Sequence, residues 1–385
     1  KAEIFTRLTM VIKFNSVTLQ PFNEDGSGPG CNFGHGLFEV ACRMAHSCRP
    51  NCIWFTSQDG RSKIVKAILP IMAGEMLTIN YIDQSDMVKP MFQRRIKLKH
   101  SKNFDCKCLR CMHCATGGDD SRCFACYNKR CNGHHFLKQI DVDDPPKLLN
   151  CIVCKEPAPQ AYQERMLDNE KEASDKIDYI GRLLSSGSFV DVQDQVLSLR
   201  PPFKFHGLAH QVYQEQVEFY NHRGDFPRAI TAQRKQIECR THILGRDYRD
   251  EQTGFQYQVL GDLLLQNGDI TIALDAYQKA VQALQISRGG SNDPYTRVAM
   301  NKLIRADEKL QCRTNGVHQL LPSASPIVLS PSAKCCGLCG IEATKKCGRC
   351  GGVYCNRDHQ AVHWKVHKKF YCKKSNSKKK KKKKK

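Results

Sequence analysis

Three textures of hydrophobic and polar positions divide the chain. Over residues 1–100 the apolar positions alternate in short stretches. TMVIKFNSVTLQPF (Thr9–Phe22) and IVKAILPIMAGEMLTINYI (Ile64–Ile82) predict strands broken by turns, with Pro70 and Gly74 as punctuation and NEDGSGPG (Asn23–Gly30) as a loop. From about residue 160 to 318 the period becomes helical. There GDFPRAITAQRK (Gly224–Lys235) aligns with GDITIALDAYQK (Gly268–Lys279) at a spacing of 44, and Leu244–Gly245 falls against Arg288–Gly289 at the same offset. Each unit has a glycine turn, a small alanine where helices cross and a long amphipathic second helix. This predicts a short solenoid of paired helices, either offering a concave face to a partner or bracing a neighbouring domain.

Between these textures, residues 101–155 form a cysteine-rich segment that needs little regular structure if metal supplies its core. A linker, LLPSASPIVLSPSA (Leu320–Ala333), leads to a compact Cys/His cluster. Of the 22 cysteines, thirteen lie within residues 1–154 and seven within 335–385; only Cys239 and Cys312 stand apart, as small buried hydrophobes. The clusters repeat C-x-C and C-x2-C spacings, which favour zinc over a disulfide framework. No signal-peptide pattern or long apolar run is visible. The expectation is a soluble intracellular chain, nuclear or cytoplasmic, with no transmembrane segment and with thiols kept reduced for metal. The net charge of +22 falls to +14 without the eight lysines of Lys378–Lys385. That run predicts nonspecific contacts with anionic partners, or else is a translated transcript end.

The C-terminal cluster offers Cys336, Cys339, Cys347, Cys350, Cys355, His359, His367 and Cys372, eight ligands for two tetrahedral Zn2+ ions in a segment too small for an apolar core. Its spacing resembles the MYND finger family, including Tyr354, Gln360, Trp364 and Lys368. The resemblance implies interleaved sites, Cys336, Cys339, Cys355 and His359 in one, Cys347, Cys350, His367 and Cys372 in the other. It also implies a proline-containing peptide partner. His359 stands where the family usually has cysteine, and one extra residue precedes Cys372; Cys335 and His363 are spare donors. Farther upstream, CFAC (Cys123–Cys126) and CIVC (Cys151–Cys154) together make a further four-thiolate candidate, with Cys114, Cys131, His134 and His135 as competing donors.

MAHSCRPN (Met44–Asn51) resembles the NHSCxPN motif of SET-domain protein lysine methyltransferases. AGEMLTINY (Ala73–Tyr81) resembles their GEELTINY strand, and RRIKLKHSKNFDCKCLRC (Arg94–Cys111) their post-SET stretch. The order of these matches, the approach GHGLFEVACRMAHSC (Gly34–Cys48), the helical region and the finger together resemble the SET-and-MYND family. The C-x-C-x2-C run supplies three thiolates and a tetrahedral zinc needs a fourth. The resemblance assigns it to Cys48, giving Cys48, Cys106, Cys108 and Cys111 as a closed structural site; Cys114 is the local alternative. The implied reaction is methyl transfer from S-adenosyl-L-methionine to a lysine-bearing protein substrate, histone or non-histone. Resemblance makes Tyr81 catalytic, orienting the amine, and gives His46 and Phe104 to cofactor binding. Asn51 and Asn80 read as supports for the crossing of the two motifs.

Ala45 replaces the motif's asparagine, and Lys102 stands where relatives often place a tyrosine. No glycine-rich cofactor turn precedes the motifs, so the first part of the SET domain is expected to be missing, and the finger to be displaced to the C-terminus. The expected fold is a mixed α+β multidomain chain with these parts: a partial β-rich SET-like domain (1–100), a zinc-bound cysteine-rich post-SET region (101–155), an all-α tetratricopeptide-like domain (160–318), a linker (319–334), a MYND-like finger (335–372) and a basic tail (373–385). The alternative function is a catalytically inactive SET/MYND scaffold for protein interactions.

Overall fold

The computed structural model describes residues 9, 17–19, 34–57, 62–141, 143–185, 203–290, 292–316, 345–346 and 353–354. The fold is mixed α+β. Strand β1 (Val17–Leu19) pairs antiparallel with β2 (Gly34–Gly36), Val17 opposite Gly36. Strand β3 (Ala45–His46) lies parallel to β6 (Thr78–Ile79), and the antiparallel hairpin of β4 (Cys52–Thr56) and β5 (Lys63–Ala67) is strung between them. Strands of two residues have little pairing energy of their own, so side chains secure the crossing. Asn51 is the knot. Its Oδ1 accepts from Thr78 N–H at 2.8 Å and Thr78 Oγ1–H at 3.1 Å, and its Nδ2 donates to Glu75 Oε1 and Met76 O, each at 3.0 Å.

Helix α1 (Met91–Lys102) buries Met91, Arg94 and Leu98, positions three and seven apart that share one face. It ends where Asn103 takes a left-handed conformation (φ 56°), which turns residues 104–108 back as extended chain towards α2 (Leu109–Gly117). Residues 101–155 carry more regular structure than metal alone requires. Strands β7 (Asp119–Ala125), β8 (His134–Lys138) and β9 (Lys147–Leu148) join β10 (Phe203–His206) in a four-stranded sheet ordered β10-β7-β8-β9. Because β10 lies within 160–318, that stretch is not all helical.

Helices α3 (Gln160–Ser185), α4 (Gly207–His222), α5 (Phe226–Leu244), α6 (Glu251–Asn267), α7 (Ile270–Ser287) and α8 (Pro294–Gly316) follow. The 44-residue repeat has a structural counterpart. Gly224 (φ 72°) and Gly268 (φ 90°) make left-handed turns, and Asp225 and Asp269 begin α5 and α7 with nearly equal dihedrals. Five residues after each glycine, Ala229 and Ala273 are wholly buried. Closer still, a Cβ at Gly261 would stand 2.6 Å from the ring of Tyr277, so only glycine lets α6 meet α7.

The helical region is pinned to the strands before it. Arg49 donates to Leu244 O at 2.6 Å and pairs with Asp247 at 2.7 Å, while Lys66 Nζ donates to Gln285 O at 2.9 Å. Beyond α8, β11 (Lys345–Lys346) pairs antiparallel with β12 (Val353–Tyr354). The linker, the basic tail and all eight finger ligands, Cys336, Cys339, Cys347, Cys350, Cys355, His359, His367 and Cys372, lie outside the described residues.

Candidate functional site

Cys48 leaves the end of β3, Cys106 and Cys108 lie on the extended chain after α1, and Cys111 sits in the first turns of α2. The four sulfurs all lie within 4.8 Å of one another. Cys48 Sγ is 3.6 Å from Cys111 Sγ and 4.0 Å from Cys106 Sγ. A tetrahedral zinc with bonds of about 2.3 Å holds its sulfurs about 3.8 Å apart, so the geometry fits the ion. Hydrogen bonding from Cys106 depresses the pKa of Cys48 and brings that of Cys108 to about 5, whereas contact with their sulfur neighbours raises those of Cys106 and Cys111. Cys114 is outside the group; its thiol faces Asp119 Oδ1 at 3.6 Å, and burial pushes its pKa up to about 12.

Two buried arginines flank the sulfurs, and the motif spacing does not single them out. Arg110, between Cys108 and Cys111, donates through Nη1 to Cys48 O at 3.0 Å and Met87 O at 2.6 Å. Arg94 Nη2 is 4.0 Å from Cys111 Sγ. Burial opposes the charge of Arg94, but Asp119 and the neighbouring sulfurs outweigh it and raise the pKa. Four thiolates around one dication would leave an excess of negative charge that these guanidiniums are placed to offset.

His46 connects this cluster to Tyr81. Its Nδ1 accepts the Tyr81 backbone N–H at 3.0 Å, which leaves Nε2 as the protonated nitrogen, 3.2 Å from Cys48 Sγ. Phe104, two residues before Cys106, completes the group. Ring centroids are 5.4 Å apart for His46 and Tyr81, 6.1 Å for His46 and Phe104, and 6.3 Å for Tyr81 and Phe104. Tyr81 O–H donates to Met44 O, and burial raises its pKa, so the hydroxyl is neutral near pH 7. Lys102 Nζ lies 5.7 Å from the Tyr81 ring centroid. Tyr81 and Phe104 are only partly buried, which leaves aromatic surface of the kind a purine stacks on.

A second sulfur group gathers Cys126, Cys131, Cys151 and Cys154 within 4.8 Å. Cys126 and Cys154 are 3.7 Å apart, and Cys131 and Cys151 3.8 Å. Cys131 takes the place expected of Cys123. Gly133 makes room, since a Cβ there would be 2.4 Å from Cys151 Sγ, and Lys155 turns the chain with φ 64°. Burial acts to raise the pKa of Cys151, but N–H donors at Val153 and Cys154 lower it to about 7.

Comparison with known proteins adds two family matches. Residues 19–82 match the SET domain. Residues 336–372 match the MYND finger. The expectation that the SET portion is missing is thereby corrected: the match begins at residue 19, ahead of β2, and runs through MAHSCRPN to Ile82. The SET segment therefore holds His46, Cys48 and Tyr81. A SET and MYND domain-containing protein of Dictyostelium discoideum is 35% identical over 104 residues, 25% of this chain and 24% of its own. A histone-lysine N-methyltransferase of Arabidopsis thaliana is 22% identical over 342 residues, 82% of this chain and 67% of its own. A histone-lysine N-methyltransferase of Mus musculus is 39% identical over 79 residues, 20% of this chain and 17% of its own. The chain thus spans between 17% and 67% of the length of these relatives. Among the described residues, no helix is long and apolar enough to cross a membrane.

Proposed function

We propose that the protein transfers a methyl group from S-adenosyl-L-methionine to the side-chain amine of a lysine in a protein substrate. The observation that carries this reading is the convergence of Tyr81, His46 and Phe104 beside the Cys48 sulfur group, within and just after the segment that matches the SET domain. The cofactor, when bound, supplies an electrophilic methyl on a sulfonium. The chain's own work is positioning and protonation control. Phe104 offers its ring to the adenine. Tyr81 orients the acceptor amine, and its partly buried surroundings favour the neutral amine that the displacement needs. His46 fixes the Tyr81 backbone against the sulfur group, so it is a positioning residue.

Cys48, Cys106, Cys108 and Cys111 hold a structural Zn2+, with four protein ligands and no open position. Cys126, Cys131, Cys151 and Cys154 hold another. The finger ligands named above hold two more and present a surface for a proline-containing peptide. Residues 101–155 serve as a post-SET region and residues 160–318 as a tetratricopeptide-like domain, the lysine run makes anionic contacts, and the chain acts in the nucleus or cytoplasm.

The test is transfer of labelled methyl from S-adenosyl-L-methionine to a panel of lysine-bearing proteins, histones included. Tyr81→Phe is expected to lower turnover at least tenfold, with zinc content and cofactor affinity retained, and Phe104→Ala to weaken cofactor affinity. Cofactor binding without transfer to any acceptor would overturn the catalytic reading in favour of a binding scaffold.

A further inference from the structure

The structure divides the donors of Cys123-Phe-Ala-Cys126 and Cys131-Asn-Gly-His134 between two groups. Cys126 and Cys131 lie at the turn of the β7–β8 hairpin and belong with Cys151 and Cys154. Cys123 and His134 lie farther along the hairpin. Cys123 pairs with Phe136 and Ala125 pairs with His134, so Cys123 and His134 are diagonal neighbours on one face of the sheet. Phe205 of β10 pairs with Cys123 on the other side and shares that face.

Helix α5 lays His242 across this face. Its ring stacks on Phe205, with centroids 4.2 Å apart and planes at 18°, and meets His134 edge-on at 5.4 Å. Stacking alone would account for a ring here. It does not account for the donor atoms: Cys123 Sγ and one nitrogen each from His134 and His242 all lie within 4.8 Å of one another. They come from three separate elements. Cys123 is wholly buried and His134 nearly so.

We propose that Cys123, His134 and His242 bind a transition-metal ion, Zn2+ by donor type, in addition to the four-cysteine sites. One thiolate and two imidazoles suit a borderline ion such as Zn2+ rather than Ca2+ or Mg2+. Three protein donors leave a tetrahedral ion one further position, for water or an exogenous donor. His242 and Phe205 also line a cavity of about 490 Å³ between α5, α6 and α7, walled further by Arg234, Glu238 and Lys279. The site is therefore beside a space able to hold a small ligand, and the ion staples the β7–β8 hairpin to the helical repeat. This proposal is independent of the methyl-transfer reading.

The experiment counts metal in the full chain and in variants, with cobalt substitution as a spectroscopic report. His242→Phe keeps an aromatic ring on Phe205 and removes the nitrogen donor. It is expected to bind one metal ion fewer per chain, with unchanged helical circular dichroism. The cobalt difference spectrum between wild type and this variant is expected to contain a thiolate-to-metal charge-transfer band, which Cys123→Ser also abolishes. The paired variant Cys126→Ser with Cys154→Ser is expected to lose a different equivalent and keep that band. Unchanged metal content in His242→Phe, or a lost equivalent without a thiolate band, overturns the proposal. If Cys123→Ser does not fold, His242→Phe decides alone.

Discussion

Residues 44–82 and residues 224–289 are held together by opposite means. Among the described residues of the first region no strand exceeds five residues, and the fixing contacts join groups far apart in sequence: Cys48 to Cys106 across 58 residues, Arg110 to the Cys48 carbonyl across 62. In the second, most bonds are helical, Asp225 and Asp250 cap α5 and α6 by accepting from N–H groups three residues on, and the same glycine turn recurs after 44 residues. The first arrangement concentrates stability in a few side chains, so one substitution is expected to dissolve it. The second spreads stability over buried alanines, leucines and ring contacts, so single changes subtract small amounts.

Metal removal is the strongest way to break the comparison. A structural zinc contributes on the order of 10 kcal/mol to the fold it closes. Chelation, or Cys48→Ser, is expected to release the Cys48-site ion and expose residues 103–118 to protease. The helical circular dichroism of 207–316 should persist. Joint loss of both signals at one chelator concentration would show that the two regions unfold as a single unit.

Next in size is Asn51→Ala. It removes four hydrogen bonds and leaves Thr78 N–H and Met76 O to find new partners in a buried crossing. With about 1–3 kcal/mol for each buried group left unsatisfied, the expected cost is roughly 3 kcal/mol, read by urea titration of the N-terminal region. A loss below about 1 kcal/mol would mean that β3 and β6 hold the crossing without it.

The seam between sheet and helices carries a pH dependence. Glu170 of α3 receives Arg122 Nη2 of β7 at 2.6 Å and faces His206 Nε2 of β10 at 3.1 Å. Burial favours its neutral form, but His206 and Arg122 prevail and lower its pKa to about 2. The folded value is below the unfolded one, so the stabilisation is fully present above about pH 4.5 and fades as pH falls towards 2. The difference amounts to about 3 kcal/mol at most. Thermal unfolding followed from pH 5 to pH 2 should show this slope in wild type, and Glu170→Gln should flatten it.

Legibility in the sequence follows the same division. The Cys48 group is readable because both of its ends sit in dense motifs, and the helical units because their glycines and alanines repeat. Strand β10 is not: the Phe-Lys-Phe-His alternation of Phe203–His206 is only four residues long and runs straight into α4, and its partner β7 is about 80 residues earlier. The pairing of Cys123 with Cys126 fails for a geometric reason. On a strand, residues three apart face opposite ways, so a C-x2-C can share an ion only where the strand ends between the two. Arg94 and His242 have no spacing signal at all, since each reaches its cluster from a helix that is regular for other reasons.

The smallest effects test whether the repeat is equivalent in energy as well as shape. Gly224 and Gly268 both have positive φ, and a Cβ at either would meet nothing within 4 Å. Alanine at these positions therefore carries only the backbone cost of a left-handed residue, about 1–2 kcal/mol, with no steric part. Gly261→Ala in α6 is different in kind, because its new Cβ meets the ring of Tyr277, which is almost wholly buried. Gly224→Ala and Gly268→Ala should lower the midpoint of helical unfolding by similar amounts. Asparagine at either turn should recover part of the loss, since it tolerates the left-handed region, whereas asparagine at Gly261 should recover nothing. Unequal losses at the two turns would mean that the repeat shares a sequence pattern without sharing the load.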